Sequence, residues 1–243
     1  MRTIPYAFGD EFNNKGGAEL TLEAFQDITS YVEIIDEVRE NAPFYSKYYI
    51  LDNDRPDQVS QKIYGTPIYH WTFFMMNDGL RRQGWPLSPN QLDKKIKRDF
   101  PHRYIRCVDD LTGIFLEGQR CEASQSGGQG LILRRHLDLG TIIVDSKEDF
   151  IPKEKVSHTA YSGITKSITV NSTGYEYNAP HHFEDVDGNI VDIDPALADP
   201  AIYTKVTNYD HYVRENNKLR ELKVIRPDAI QNIVGLYFEA LKS

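Results

Sequence analysis

The chain has 243 residues, 40% of them apolar and 26% charged, which is ordinary usage for a globular protein able to build its own core. Its 36 acidic residues outnumber 28 basic ones, and a net charge of −8 argues against a partner that is nucleic acid or an anionic membrane. No apolar run approaches the ~20 residues that span a bilayer.

Met1 to Asp10 shows no charged-then-apolar signal pattern, so secretion by that route is not expected. Cys107 and Cys121 have neither disulfide-framework nor metal-pair spacing and are expected as reduced thiols. Tyrosine is abundant, with 15 residues beside 11 Phe and 2 Trp. Its ring is apolar and its hydroxyl polar, a combination that suits interfaces as well as cores.

Residues 1–46 read as an N-terminal arm with little core of its own. Ile28, Tyr31, Val32 and Ile35 fit a helix, and residues 31–35 fit a strand equally well. From Tyr48 the pattern sharpens. Tyr48 to Leu51 reads as a strand, and Asp52 to Arg55 as a turn. Pro56 opens a helix with Val59 and Ile63 on one face, and Gly65 ends it. Thr66 and Pro67 start a second helix whose stripe is Ile68, Trp71, Phe74 and Met75, with Asn77-Asp78-Gly79 as its stop. Trp85-Pro86-Leu87 reads as a second short strand. Strand, helix, helix and strand thus fall within about forty residues, a miniature α+β unit whose expected core is Val59, Ile63, Trp71 and Phe74. Lys94, Lys95, Lys97, Arg98, Arg103 and Arg106 form a basic stretch, expected as a solvated helix face offset by Asp93 and Asp99.

Residues 104–178 change character. Short β-type runs (113–116, 130–133, 141–144 and 164–170) alternate with Gly/Ser turns, predicting a small sheet or barrel. Phe115, Gln119 and Cys121 are echoed 35 positions later by Phe150, Glu154 and Val156, suggesting two hairpin-like copies. In the remainder, Asp187-Gly188 sits between alternating residues as a hairpin turn. Thr207 and Asp210 form a capping box for a polar helix to about Arg220. Leu222 to Ile225 reads as a strand, and Pro227 starts a last helix carrying Ile230, Ile233, Val234, Tyr237, Phe238 and Leu241 on one face.

Catalytic motifs are not found. There is no G-x-S-x-G elbow, and Ser126 to Gly130 lacks the Lys-Ser/Thr ending of a phosphate loop. His181 and His182 stand beside Glu184, Asp185 and Asp187, but adjacent residues of a strand point to opposite faces. A structural hairpin is expected there, with a weak cation site as the alternative, and no metal is assigned. Asn171-Ser172-Thr173 is a glycosylation sequon, void without secretion.

Tyr49-Ile50-Leu51, the helix with Val59 and Ile63, and Tyr64-Gly65 resemble the LysM domain, a small βααβ module. Asp54-Arg55-Pro56 stands where ordinary LysM modules carry the Gly-Asp-Thr-like turn that meets sugar. A narrower resemblance runs through Arg55-Pro56, Ile63-Tyr64-Gly65, Tyr69-His70-Trp71, Met76-Asn77-Asp78 and Trp85-Pro86-Leu87. It continues in Ala179 to Asp185, Asp187-Gly188-Asn189, Thr207 to Asp210, Glu215 to Arg220 and Ile225-Arg226-Pro227. Together these blocks, within residues 45–100 and 179–236, are similar to the LysM-like baseplate wedge subunits of contractile-tailed phages of the T-even and cyanophage type. Residues 104–178 depart from the shortest family members.

The resemblance implies an α+β chain: arm 1–46, LysM-like module and following helix 47–103, β-rich insertion 104–178, and hairpin, helix, strand and helix in 179–243. It implies a non-enzymatic structural protein of the virion, made in the host cytoplasm, that clamps neighbouring wedges around the hub. Its partners would be the long wedge scaffold subunits, the lysozyme-like sheath-initiator subunit and neighbouring wedges, with no nucleic acid, membrane, cofactor or metal. The alternatives are a peptidoglycan- or chitin-binding module and, more remotely, a cell-wall hydrolase. Ile230 to Val234 are expected to pack at home, and Tyr237, Phe238 and Leu241 to reach a partner.

Overall fold

The computed structural model describes residues 37–159, 163–194 and 201–240. The arm up to residue 36 and the interface candidate Leu241 lie outside the described residues. The chain is α+β and divides into two compact units. One joins the residues up to Pro86 with those from Asn217 onward, and the other is Leu87–Asn216. These boundaries differ from the four expected segments. The helix expected to follow the LysM-like module within 47–103 belongs with the second unit, and the C-terminal segment is shared between both.

The first unit opens with strand β1, Tyr45–Tyr49. Helix α1, Pro56–Tyr64, starts at a proline that is pre-set for the first turn and whose missing N–H costs nothing there. Gln58 at its third position accepts a hydrogen bond from the Arg55 backbone N–H, 3.1 Å. Gly65, at φ 73°, ends it in the left-handed region, with its N–H returning to Gln61. Thr66 caps the next element, a 3-10 turn Pro67–His70 that runs into α2, Trp71–Met76. Asn77 stops α2 as expected, but a further short helix, α3, Asp78–Gln83, follows at once. Trp85-Pro86-Leu87 is not a strand. The forty-residue unit therefore lacks its second strand locally.

The second unit begins with α4, Pro89–Asp99, which buries Leu92 and Ile96. Its basic side is solvated and paired at helical spacing, Lys97 to Asp93 at 3.0 Å and Lys95 to Asp99 at 4.0 Å. Seven strands follow: β2 Arg103–Arg106, β3 Arg120–Ala123, β4 Gln129–His136, β5 Thr141–Asp145, β6 Lys155–Thr159, β7 Thr165–Thr169 and β8 Ser172–Tyr175. They form one sheet in the order β7-β6-β3-β4-β5-β2-β8. Every pairing in it is antiparallel. Only Val170 and Asn171 separate the two edge strands. Val170 bonds back to Glu154, and the Asn171 N–H reaches the Arg106 carbonyl at 2.7 Å. So short a link requires the sheet to curl until its edges meet, which makes it a small barrel.

Its interior holds Ile105, Cys107, Phe115, Cys121, Ile132, Ile142, Val144, Phe150, Val156 and Ile168. The 35-residue echo corresponds to two hairpins, β3-β4 and β6-β7, whose first strands pair with each other. The Gly113 to Leu116 segment is a turn rather than the expected strand. Phe115 sits there at φ 53°, fully buried, its N–H donated to His158 Nε2 at 3.2 Å. Burial holds the His158 imidazole below its usual basicity, which favours the neutral ring that can accept. Gly130 is required by close approach. A Cβ there would strike the Val144 side chain and lie 2.5 Å from the Asp145 carbonyl oxygen.

Beyond the barrel, β9 (Pro180–Glu184), β10 (Ile190–Val191) and β11 (Thr204–Thr207) make a three-stranded antiparallel sheet. Its hairpin turns at Asp187-Gly188 as expected, with the Asp185 carboxylate accepting from the N–H groups of Asp187 and Asn189. The Thr207–Asp210 capping box opens α5, Asn208–Lys218.

The chain then returns to the first unit. Strand β12, Glu221–Ile225, pairs antiparallel with β1 from Tyr45↔Ile225 to Tyr49↔Glu221. The strand that completes the first sheet thus comes from a segment more than 130 positions beyond the one expected. Helix α6, Ile230–Ala240, follows a turn at Pro227 to Ala229. One core of this unit combines Ile50, Val59, Phe73, Leu80, Leu222 and Val224. A second combines Val38, Met76, Ile225, Ile230 and Ile233. Phe73 is 0% exposed, whereas Trp71 and Phe74 are only partly buried. Of the expected core, Val59 is fully buried and Ile63 and Phe74 pack against it, whereas Trp71 stands outside it, a correction to the expectation. Phe73 is the central aromatic, because the 3-10 start of the helix rotates the stripe relative to a regular α-helical count.

Candidate functional site

Helix α6 divides as its residues do. Ile230 and Ile233 are buried at home, while Leu236 is 54% and Phe238 48% exposed. Tyr237 is half-buried. Trp71 joins these two aromatics, its ring 5.3 Å from Tyr237 and 5.9 Å from Phe238. Trp71, Tyr237 and Phe238 form a partly exposed aromatic ledge. Of the three anticipated contact residues, Tyr237 and Phe238 stand on this ledge, and Trp71, read as core, is its third member.

The turn where LysM modules meet sugar is engaged internally. Asp54 holds Lys62 at 2.6 Å, and its backbone carbonyl accepts from Trp85 Nε1 at 2.7 Å. The Asp54 carboxylate keeps the Lys62 ammonium above its ordinary range.

Several residues of the family-like blocks act as fasteners. Asn77 donates from Nδ2 to the carbonyls of Phe73 and Lys223, each at 2.8 Å, and accepts from the Lys223 N–H at 2.9 Å. Its amide thereby pairs with β12 as a strand would. Tyr64 donates its hydroxyl to the Ile225 carbonyl at 2.9 Å, and burial pushes its phenol up to about 12. Arg220 is buried and paired with Asp52 at 2.7 Å. Asn216, also buried, clasps the two ends of the second unit: it accepts from the Leu87 N–H at 2.8 Å and donates to the Leu87 carbonyl at 3.0 Å.

Model comparisons with protein families and with curated proteins return no match to this chain.

A cleft of about 430 Å³ in the first unit is lined by Arg39, Asn77, Asp78, Lys218, Glu221 and Lys223 among others, with neither His, Ser nor Cys. Arg39 pairs with Asp78 at 2.6 Å and holds that carboxyl below the usual range. The cleft is thus lined by charged side chains, among them the Arg39–Asp78 ion pair. Both cysteines are free and buried in the barrel, where burial pushes each thiol up to about 11, away from reactivity.

One cluster is legible in the sequence only in part, as a weak cation site considered at His181 and His182 without His211. His181 and His182 lie on the same side of β9, and His211 of α5 joins them. The alternation rule fails because β9 carries a bulge. Pairing steps from Val206↔His182 to Thr207↔Pro180, passing over His181. No periodicity signals a bulge, so His211 in particular had no mark in the sequence.

Proposed function

We propose that the chain is a non-enzymatic structural subunit of a contractile phage tail baseplate, clamping neighbouring wedges around the hub. The observation that carries this reading is the use of the family-like residues. Asn77, Tyr64 and Trp85 tie their side chains to distant backbone and Arg220 pairs with Asp52, holding a small module together across a long insertion, while Asn216 closes the ends of that insertion on Leu87. Two strands with intervening helices suit the LysM-like description, with β12 supplying the second strand. The aromatic ledge supplies the contact face. Partially exposed Trp, Tyr and Phe on a firm support are what protein interfaces favour. The wedge scaffold subunits and the lysozyme-like sheath initiator are the partners we assign to the complex. Glycan binding is not proposed, because Asp54 at the sugar-side turn is held by Lys62 and Trp85.

Mass spectrometry of purified contractile tails from the phage encoding this chain tests the reading. The chain should be present in stoichiometric proportion to the wedge subunits. Tails complete without it, or micromolar binding of the free chain to muropeptides, would overturn it.

A further inference from the structure

Three of the chain's seven histidines meet in the second unit. His181 Nδ1 lies 2.7 Å from His182 Nδ1. His211, in the first turn of α5, stacks on His181 with ring centroids 3.9 Å apart and planes 9° from parallel. One nitrogen from each of the three rings lies within 4.8 Å of the others. We propose that His181, His182 and His211 form a binding site for a divalent transition-metal ion of the zinc class, with water completing the coordination sphere.

The donor chemistry fits. Imidazole suits zinc, nickel and copper, and three imidazoles with an open position are an established donor set for such ions. Tautomers are set by the neighbours. His182 Nε2 stands 3.1 Å from a Glu184 carboxylate oxygen, so it carries the proton that it donates there. That leaves the His182 Nδ1 lone pair facing His181, whose own Nδ1 supplies the proton between the two rings. A metal ion takes the place of that shared proton. A carboxylate behind a ligating imidazole is the usual outer-shell support of such sites, orienting the ring and raising its donor strength. Arg214 lies 2.6 Å from the same carboxylate oxygen, so its charge is paired with Glu184 rather than set against the ion.

The fit also states what must move. At Zn–N distances of about 2.0–2.1 Å, nitrogens around a tetrahedral ion stand roughly 3.3 Å apart. The His181–His182 pair must therefore open by about 0.6 Å, and the stacked His181–His211 pair must tilt their nitrogens toward one another. His181 is exposed and sits in the bulge, so its ring can make that adjustment, and the open side admits the ion and its water. Bound there, the ion ties the bulge of β9 to the start of α5.

The test uses the full chain, stripped with a chelator and dialysed. Zinc chloride is titrated by calorimetry, and cobalt(II) is followed by its visible ligand-field bands. One ion per chain is expected with micromolar affinity or better, together with a raised melting temperature in zinc. His181→Gln and His211→Gln should each weaken binding beyond the ~10–100-fold that loss of an outer-shell partner costs. Circular dichroism verifies that the variants fold, and exposed His181 keeps the test available if the His211 variant folds poorly. Millimolar affinity in the parent chain, or parental affinity in either folded variant, would overturn the site.

Discussion

Phe73 and Trp71 stand two residues apart and do different work. Phe73 is clustered with Val59, Leu80 and Leu222, stacked on Tyr64 and tilted against Trp85, each at 6.1 Å. Phe73→Ala should cost the first unit about 3–5 kcal/mol, the usual cost of deleting a large core group. Trp71→Ala loses two partly exposed ring contacts and should cost about 1–3 kcal/mol. Urea denaturation of the two variants checks the order, and a larger loss at Trp71 would return the core to the arrangement expected from spacing. Glu154 is the second informative residue. Burial works to raise its pKa, but hydrogen bonds from the backbone of Ile151, Gln125 and Ser126 and from the Ser126 hydroxyl win, holding the carboxyl below its usual range. A depressed folded value contributes stability that is complete above the unfolded value of about 4.3 and is lost as pH falls through the folded one. Glu154→Gln should therefore destabilise by about 2–3 kcal/mol at pH 7, with the gap to the parent closing in acid. A gap that stays constant down to the acid limit would contradict the assignment.

At the scale of elements, α6 makes the clearest division. Its near half packs on Met76 and Ile225, and its far half carries Tyr237 and Phe238 against Trp71. Ile233→Ala should cost about 2–5 kcal/mol, while Phe238→Ser, which loses two partly exposed ring contacts, should cost about 1–3 kcal/mol and leave the chain folded in a thermal melt. A Phe238→Ser chain that unfolds would place the ledge in the core instead. Local punctuation made many elements legible in advance. Pro56, Gly65, Thr66, Asp187-Gly188 and the Thr207–Asp210 box marked their boundaries because each acts on backbone within a few residues of itself. Non-local features were hidden. The partner of β1 is chosen by burial across a long insertion, and nothing near Trp85 reports that Glu221–Ile225 takes the place of a local strand. The bulge at His181 is likewise a property of pairing between strands, so the histidine cluster could not be read from period-2 alternation. Phe115 was read as strand from its apolar run. The left-handed conformation it adopts depends on His158, 43 positions away.

At the scale of the molecule, two units share one chain that leaves the first at Pro86 and re-enters it at Asn217. Asn216 holds both ends of the second unit together through Leu87, so the crossing points are fixed from within that unit. Two compact units on one chain suit the clamp that we propose, which needs more than one contact face. The aromatic ledge is the face we assign to wedge joining. The most direct test is electron microscopy of purified wedges and hub mixed with the parent chain or with the Phe238→Ser chain. The parent should yield closed six-fold baseplates, and the folded variant should leave the wedges unjoined. Baseplates that close equally well without the chain would contradict the account.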